Sequence, residues 1–364
     1  MAHRLPLLLL ATIDPVVRDS MVFGLLTDSP STVLVRHDIV DDAAGGHLRR
    51  VVMDAGGVIE DVEVPLEHAC LSCAVREDAL PTLRALADDG RWSSLALALP
   101  VSGESLPVAL ALERAMQRGG ELSRVRLASV IGAVDLETFA DDLLGDDLLA
   151  ERGLALTADD RRSVGEAVAA QVGHVDVLVT AGDLSGVASD LVEHLRAPDG
   201  RRVDGLHDLD LRALLAGTHH ADAGRRRLDP LRARAATTPG ASGVWSLELA
   251  SDRPFHPERL VEHVSRLGLP DVRGRGVFWV ANRPDSACAW DGAGGQLSIG
   301  ELESWGRRAP FTRLVMTGVG PHREALRAAF DDILLTDAEA RRGLGDWLDR
   351  PDVLAPWLGE RAPR

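Results

Sequence analysis

Lysine and tyrosine are absent from this chain, and asparagine occurs once, at Asn282. All 40 basic side chains are therefore arginines, which accords with a high-GC coding bias; a phosphate-binding lysine is excluded. Cysteine is also scarce. Three cysteines, one of them far away at Cys288, cannot make the disulfide framework of a small secreted domain. Positive charge is in deficit, and a net charge of −16 argues against a nucleic-acid or anionic-membrane binder, so no direct DNA contact and no membrane are expected. No run approaches the roughly 18 apolar residues of a membrane span. The N-terminal Leu5-Pro6-Leu7-Leu8-Leu9-Leu10 follows Arg4 as in a signal peptide. It is short, lacks a small-residue cleavage site and ends at Asp14, so a buried first strand is the reading, in a cytoplasmic protein.

What is present is enough for about two domains, with 45% hydrophobic residues. Residues 5–12 form a continuous apolar run, as in a central parallel strand. After a turn at 13–20, a helix is expected to open at 21–26. Residues 32–40 alternate as a strand, and 48–64 read as two strands around Ala55-Gly56-Gly57, a hairpin. A helix is predicted from about Asp78, with Pro81 in its first turn. Strands at 94–99, 125–134 and 175–180 alternate with helices at 106–118 and 163–171, which implies an open, mostly parallel sheet with helices on both faces. Residues 1–198 make this first domain.

Residues 199–240 loosen into a Gly- and Pro-punctuated linker, in which His207, His219, His220 and Arg225-Arg226-Arg227 are expected to be solvated. Strands at 244–249, 275–283 and 313–319 and helices at 257–267 and 322–333 suggest a smaller α+β domain over 241–345, with Trp279, Trp290 and Cys288 in its core. Residues 346–364 are a tail.

The chemistry concentrates in Glu67-His68-Ala69-Cys70-Leu71-Ser72-Cys73. Zn²⁺ takes Cys sulfur and His nitrogen in a tetrahedral shell, and Cys70 and Cys73 supply two ligands, with His68 and Glu67 near enough to add more. If both lie on a strand, those two point to opposite faces. The bland alternative is two small buried side chains; a redox pair is a third. A helix N-terminus close to Cys73 would depress its thiol pKa.

Several stretches together resemble the CobW-type family of metal-linked P-loop GTPases. Arg253-Pro254-Phe255-His256-Pro257-Glu258-Arg259-Leu260 is similar to its PFHPxRL segment, and Arg273-Gly274-Arg275-Gly276-Val277-Phe278-Trp279-Val280-Ala281-Asn282-Arg283-Pro284 to its RxKGxxWLATRP core. Cys70-Leu71-Ser72-Cys73-Ala74-Val75-Arg76 matches the family's CxCC metal motif with Ser72 in place of the middle cysteine. Ala133-Val134-Asp135 looks like the family's VDA strand end. The resemblance implies a P-loop-NTPase-like α/β domain followed by a CobW C-terminal domain.

The family's phosphate loop, GxxGxGKTT, falls on Thr12-Ile13-Asp14-Pro15-Val16-Val17-Arg18-Asp19-Ser20. Every glycine and the lysine are gone, so backbone N–H groups cannot wrap phosphate and Arg18 is a poor stand-in for an ammonium. Pro100 replaces the acid of the ETSG segment, and Thr180-Ala181-Gly182-Asp183 keeps only the last residue of NKxD. Arg18, Ser20 and Asp183 are the remnants of a degenerate nucleotide site, and GTP with Mg²⁺ is not expected. The resemblance implies a pseudo-GTPase of zinc homeostasis or zinc starvation, with optional Zn²⁺ at the cysteines and a protein client or the ribosome as partner. The alternatives are a GTP-dependent zinc metallochaperone with an atypical loop and a metal-free interaction protein.

Overall fold

The computed structural model describes residues 4–42, 45–237 and 241–361. They fall into two compact units, Met1–Asp142 with Asp147–Arg227, and Leu143–Asp146 with Leu228–Arg364.

The first unit is built on β1 (Leu5–Ala11). Leu8 and Leu10 join one buried cluster while Leu7 and Leu9 are fully buried as well, the pattern of a strand covered on both faces. Helix α1 (Pro15–Asp28) starts six residues before the expected position, because Asp14 caps it and Pro15 occupies the first helical position, where a missing N–H costs nothing. Strands β2 (Thr32–Asp42), β3 (Gly45–Asp54) and β4 (Gly57–Pro65) form an antiparallel meander whose second turn lies at 55–56. The next helical stretch contains α2 (Leu71–Cys73), a π-helical turn (Ala74–Ala79) and α3 (Leu80–Asp89). There follow β5 (Ser94–Ala98), α4 (Ser105–Ala115), β6 (Val125–Asp135), α5 (Phe139–Leu144), α6 (Val164–Val172), β7 (Val177–Ala181), α7 (Val187–Leu195) and β8 (Arg201–Asp204). The sheet order is β4-β3-β2-β5-β1-β6-β7-β8, parallel from β2 to β8.

Most of the stretch expected as a linker is part of this unit. Strand β8 extends the sheet, and α8 (Leu211–Ala216) and α9 (Ala221–Leu228) follow it. Leu211 and Leu214 of α8 join the cluster around β1. The Arg225-Arg226-Arg227 run lies on α9, not in a solvated loop: Arg227 reaches Asp199 at 2.8 Å and the carbonyl of His174 at 2.6 Å. His219 is buried and bonded to Asp176, whereas His207 and His220 are exposed as expected. Polar sequence hid α9, whose fixing contacts are those of Arg227, whereas α8 and β8 also pack Leu211, Leu214 and Val203 on the cluster.

The second unit is a five-stranded antiparallel sheet, β12-β11-β10-β13-β9, made from β9 (Val244–Ser251), β10 (Val272–Val280), β11 (Arg283–Ala293), β12 (Gln296–Ser304) and β13 (Thr312–Val319). The strand expected over 275–283 ends at Val280, and the chain turns at Ala281-Asn282 into β11. Helices α10 (Pro257–Leu267) and α11 (Arg323–Ile333) bury Leu260, Leu267, Leu326 and Phe330 with Phe278, Trp290 and Cys288. Trp279 packs on the opposite face with Val277 and Trp305. In the tail, Leu354 and Leu358 complete the main cluster.

Candidate functional site

Open α/β sheets bind ligands beyond the carboxyl ends of their strands. There, after β1, the Asp14 carboxylate accepts hydrogen bonds from the amides of Val16 at 2.7 Å and Val17 at 3.0 Å. Those first-turn N–H groups are the ones that would hold an anion at a helix N-terminus. An internal anion already sits on them. Arg18 is buried; its Nη1 donates to Asp38 at 2.6 Å and to the carbonyl of Leu99 at 3.3 Å. Ser20 is half-buried on α1, two residues from Arg18 and so on a different helix face.

Asp183 is exposed beyond β7, two strands from β1. Bonds from the Ser185 amide and hydroxyl, both 2.9 Å, hold its carboxyl below the ordinary range. Arg18 is thus engaged by Asp38 and Asp183 by Ser185, each within the protein. Asp135 and Glu137, at the end of β6, crowd Gly182 in this loop. Burial, above all, pushes the Asp142 carboxyl up, with the charge of Asp14 adding to it. Asp135, Glu137, Asp142 and Asp183 make this end of the sheet acidic.

The cysteine turn is organised differently. Residues 67–70 are a bend and not a strand, so the opposed-face expectation for Glu67 and His68 does not hold. The helix begins at Leu71, seven residues before the expected start, because the Cys70 sulfur acts as its cap and accepts the Cys73 amide at 3.4 Å. Cys73 Sγ lies 3.9 Å from His68 Nδ1 and 3.7 Å from Arg76 Nη2. Glu67 is drawn off to Arg76 at 3.0 Å. Burial, then the neighbouring Cys70, pushes the Cys73 thiol up rather than down. The helix N-terminus ahead of Cys73 does not outweigh that burial, so the depression that was expected is not found.

As arranged, no three His, Cys, Asp or Glu side chains among the described residues form a group that could hold a metal ion. His68, Cys70 and Cys73 are adjacent donors, with the Cys70 sulfur committed to its cap.

Two features hold this turn in place, and neither was legible in the sequence. Gly46 of β3 runs against Ala69 so closely that a Cβ there would lie 2.1 Å from the alanine Cβ. Asp78, in the π-helical turn and 2% exposed, accepts from buried His37 at 2.8 Å and pairs with Arg50. The widened turn also explains Pro81: it falls inside a continuous helical stretch, where its ring would crowd the carbonyl of Glu77. A second buried polar group also escaped notice. His174 Nε2 and Ser105 Oγ are 2.9 Å apart, and Asp176 bonds His219 at 2.7 Å. Burial lowers the His174 pKa to about 4.

Among the described residues, no helix is long and apolar enough to cross a membrane. The cobalamin synthesis protein cobW C-terminal domain family matches residues 244–334. A protein of Mycobacterium tuberculosis named a zinc chaperone is 30% identical over 318 residues, covering 83% of this chain and 74% of that protein; an uncharacterized protein of Mycobacterium bovis matches to the same extent. Zinc-regulated GTPase metalloprotein activator 1 of Dictyostelium discoideum is 24% identical over 260 residues, covering 66% of this chain and 54% of its own. Among solved structures, the Zn(II)-bound YjiA GTPase of E. coli aligns over 91% of this chain and 99% of its own at 16% identity, with a TM-score of 0.36, a likeness too slight to carry any argument.

Proposed function

Since the chain belongs to the CobW-type family, we propose that it is a zinc-handling pseudo-GTPase, which binds zinc weakly at the cysteine turn and acts on a protein client or the ribosome without hydrolysing nucleotide. The observation that carries this reading is the contrast between its two helix caps. At α1 the cap is the Asp14 carboxylate, with Arg18 spent on Asp38, so the place of the phosphates is filled by the protein's own charges. At α2 the cap is a sulfur beside a second sulfur and an imidazole, donors that Zn²⁺ prefers. Zinc is cargo here. Loading takes the Cys70 sulfur from the Cys73 amide, and the incomplete donor set leaves room for a ligand from the recipient, which suits transfer better than storage. The names of the relatives, a zinc chaperone and a zinc-regulated GTPase activator, support the zinc half of the reading.

Calorimetric titration of metal-free protein with GTP–Mg²⁺ and then with Zn²⁺ is the test. Silence with GTP and zinc binding that disappears in Cys70→Ser are the expected results. Micromolar GTP binding that needs Mg²⁺ and fails in Arg18→Ala would replace the proposal with a GTP-dependent metallochaperone. A metal-free interaction role is the second reading, favoured by the cap that Cys70 already supplies; silence with both ligands would establish it.

A further inference from the structure

A cleft of about 880 Å³ opens beside the cysteine turn. One wall is the ridge Leu71, Val75 and Leu80; the other is Leu106 and Leu110 of α4, continued four residues on by Arg114. Leu71, Leu80, Leu106 and Leu110 are each only partly covered. The second ridge has four-residue spacing and the first widens to five across the π-helical turn, and the groove between them has the shape that accepts the ridge of a third helix. Both walls are helical, so the cleft offers no strand edge to an extended peptide and must be read through side chains.

Arg76 is taken by Glu67 at 3.0 Å and Glu77 at 2.7 Å. Arg114 is exposed and has no ion pair among the described residues, and Glu121, the one acid lining the cleft, does not pair with it. An apolar trough ending in an uncommitted guanidinium is complementary to a helix with an aliphatic stripe and a carboxylate.

We propose that this cleft docks an amphipathic helical segment of the client protein, seated by two or three aliphatic side chains and fixed in direction by an acidic residue on Arg114. Leu71 and Ser72 line the cleft and stand between the two cysteines in sequence, so the docked segment brings its flanks to the zinc donors. The inference rests on the zinc-client reading for its purpose but not for its binding chemistry.

Fluorescence anisotropy would measure binding of the full chain, in EDTA, to two labelled 16-residue alanine-based helices. Each carries leucines at i, i+4 and i+7, with either Glu or Lys at i+8. The Glu peptide should bind about fivefold more tightly than the Lys peptide, and Arg114→Glu should reverse the order. Leu110→Ser should abolish both, with an unchanged melting transition as the control for folding. Equal binding of the two peptides, or no response to Arg114→Glu, would overturn the proposal; so would self-association of the chain that Leu110→Ser abolishes, since a second copy would then be the occupant. Zinc titration of Arg114→Glu separates this from the metal reading. The variant should keep its zinc affinity, and because the peptide assay is run in EDTA, failure of the zinc reading would leave it intact.

Discussion

The loop after β1 and the turn before α2 are both helix entrances in the same unit, and they have opposite characters. The first is closed by hard, charged groups: Asp14 on the helix amides and Arg18 on Asp38. The second is closed by a thiol, a soft and weakly held cap that a metal can take over. The two entrances thus differ in which atom satisfies the first-turn amides, a carboxylate oxygen at one and a sulfur at the other.

The largest test of this comparison is the anchoring of the cysteine turn. Asp78→Ala strands buried His37 and takes one of two carboxylates from Arg50, which keeps Glu60, and should cost about 3 kcal/mol in chemical denaturation. A loss below about 1 kcal/mol would mean that the turn is held by packing alone. The next concerns pH. His174 is kept neutral in the folded state, its pKa lowered to about 4 from 6.5. The unfolded chain therefore binds more protons between these values, and stability falls as pH drops from about 6.5 towards 4. The loss should be on the order of 2–3 kcal/mol and should vanish in His174→Gln; denaturation midpoints at pH 7 and 5 would measure it.

Asp14→Ala should cost about 1 kcal/mol through the lost cap. With no lysine and an acidic strand edge it should gain no affinity for GTP; a gain would show that the carboxylate alone shuts the site. The smallest effect is expected for Cys70→Ser. Serine caps a helix at least as well as cysteine, so thermal stability should stay within about 0.5 kcal/mol while zinc binding is lost. A large destabilisation with zinc binding retained would make Cys70 purely structural.

Much of the fold was legible because apolar periodicity reports on burial. The unbroken run at 7–10, the hairpin around 55–57 and the stripes of α10 and α11 lie where the pattern puts them. The residues of the C-terminal motifs carried the family. The elements that were missed are those fixed by polar contacts: α9 through Arg227, β8 at the sheet edge, and the early start of α2 through a sulfur cap. Of the candidate site residues, His68, Cys70 and Cys73 are brought together, Glu67 is turned aside to Arg76, Arg18 pairs with Asp38, and Asp183 holds Ser185.

The sequence by itself determined that no lysine can serve a phosphate, that a central apolar strand starts the sheet, and that two cysteines share one short turn. These facts are local, and composition or spacing is enough to settle them. Only the tertiary structure decided that Arg18 is buried against Asp38, that Asp78 ties the turn to β2 and β3, and that Leu71 and Arg114 line one cleft. Each joins residues 20 or more positions apart, and which partner satisfies a buried charge is fixed by the geometry of the sheet.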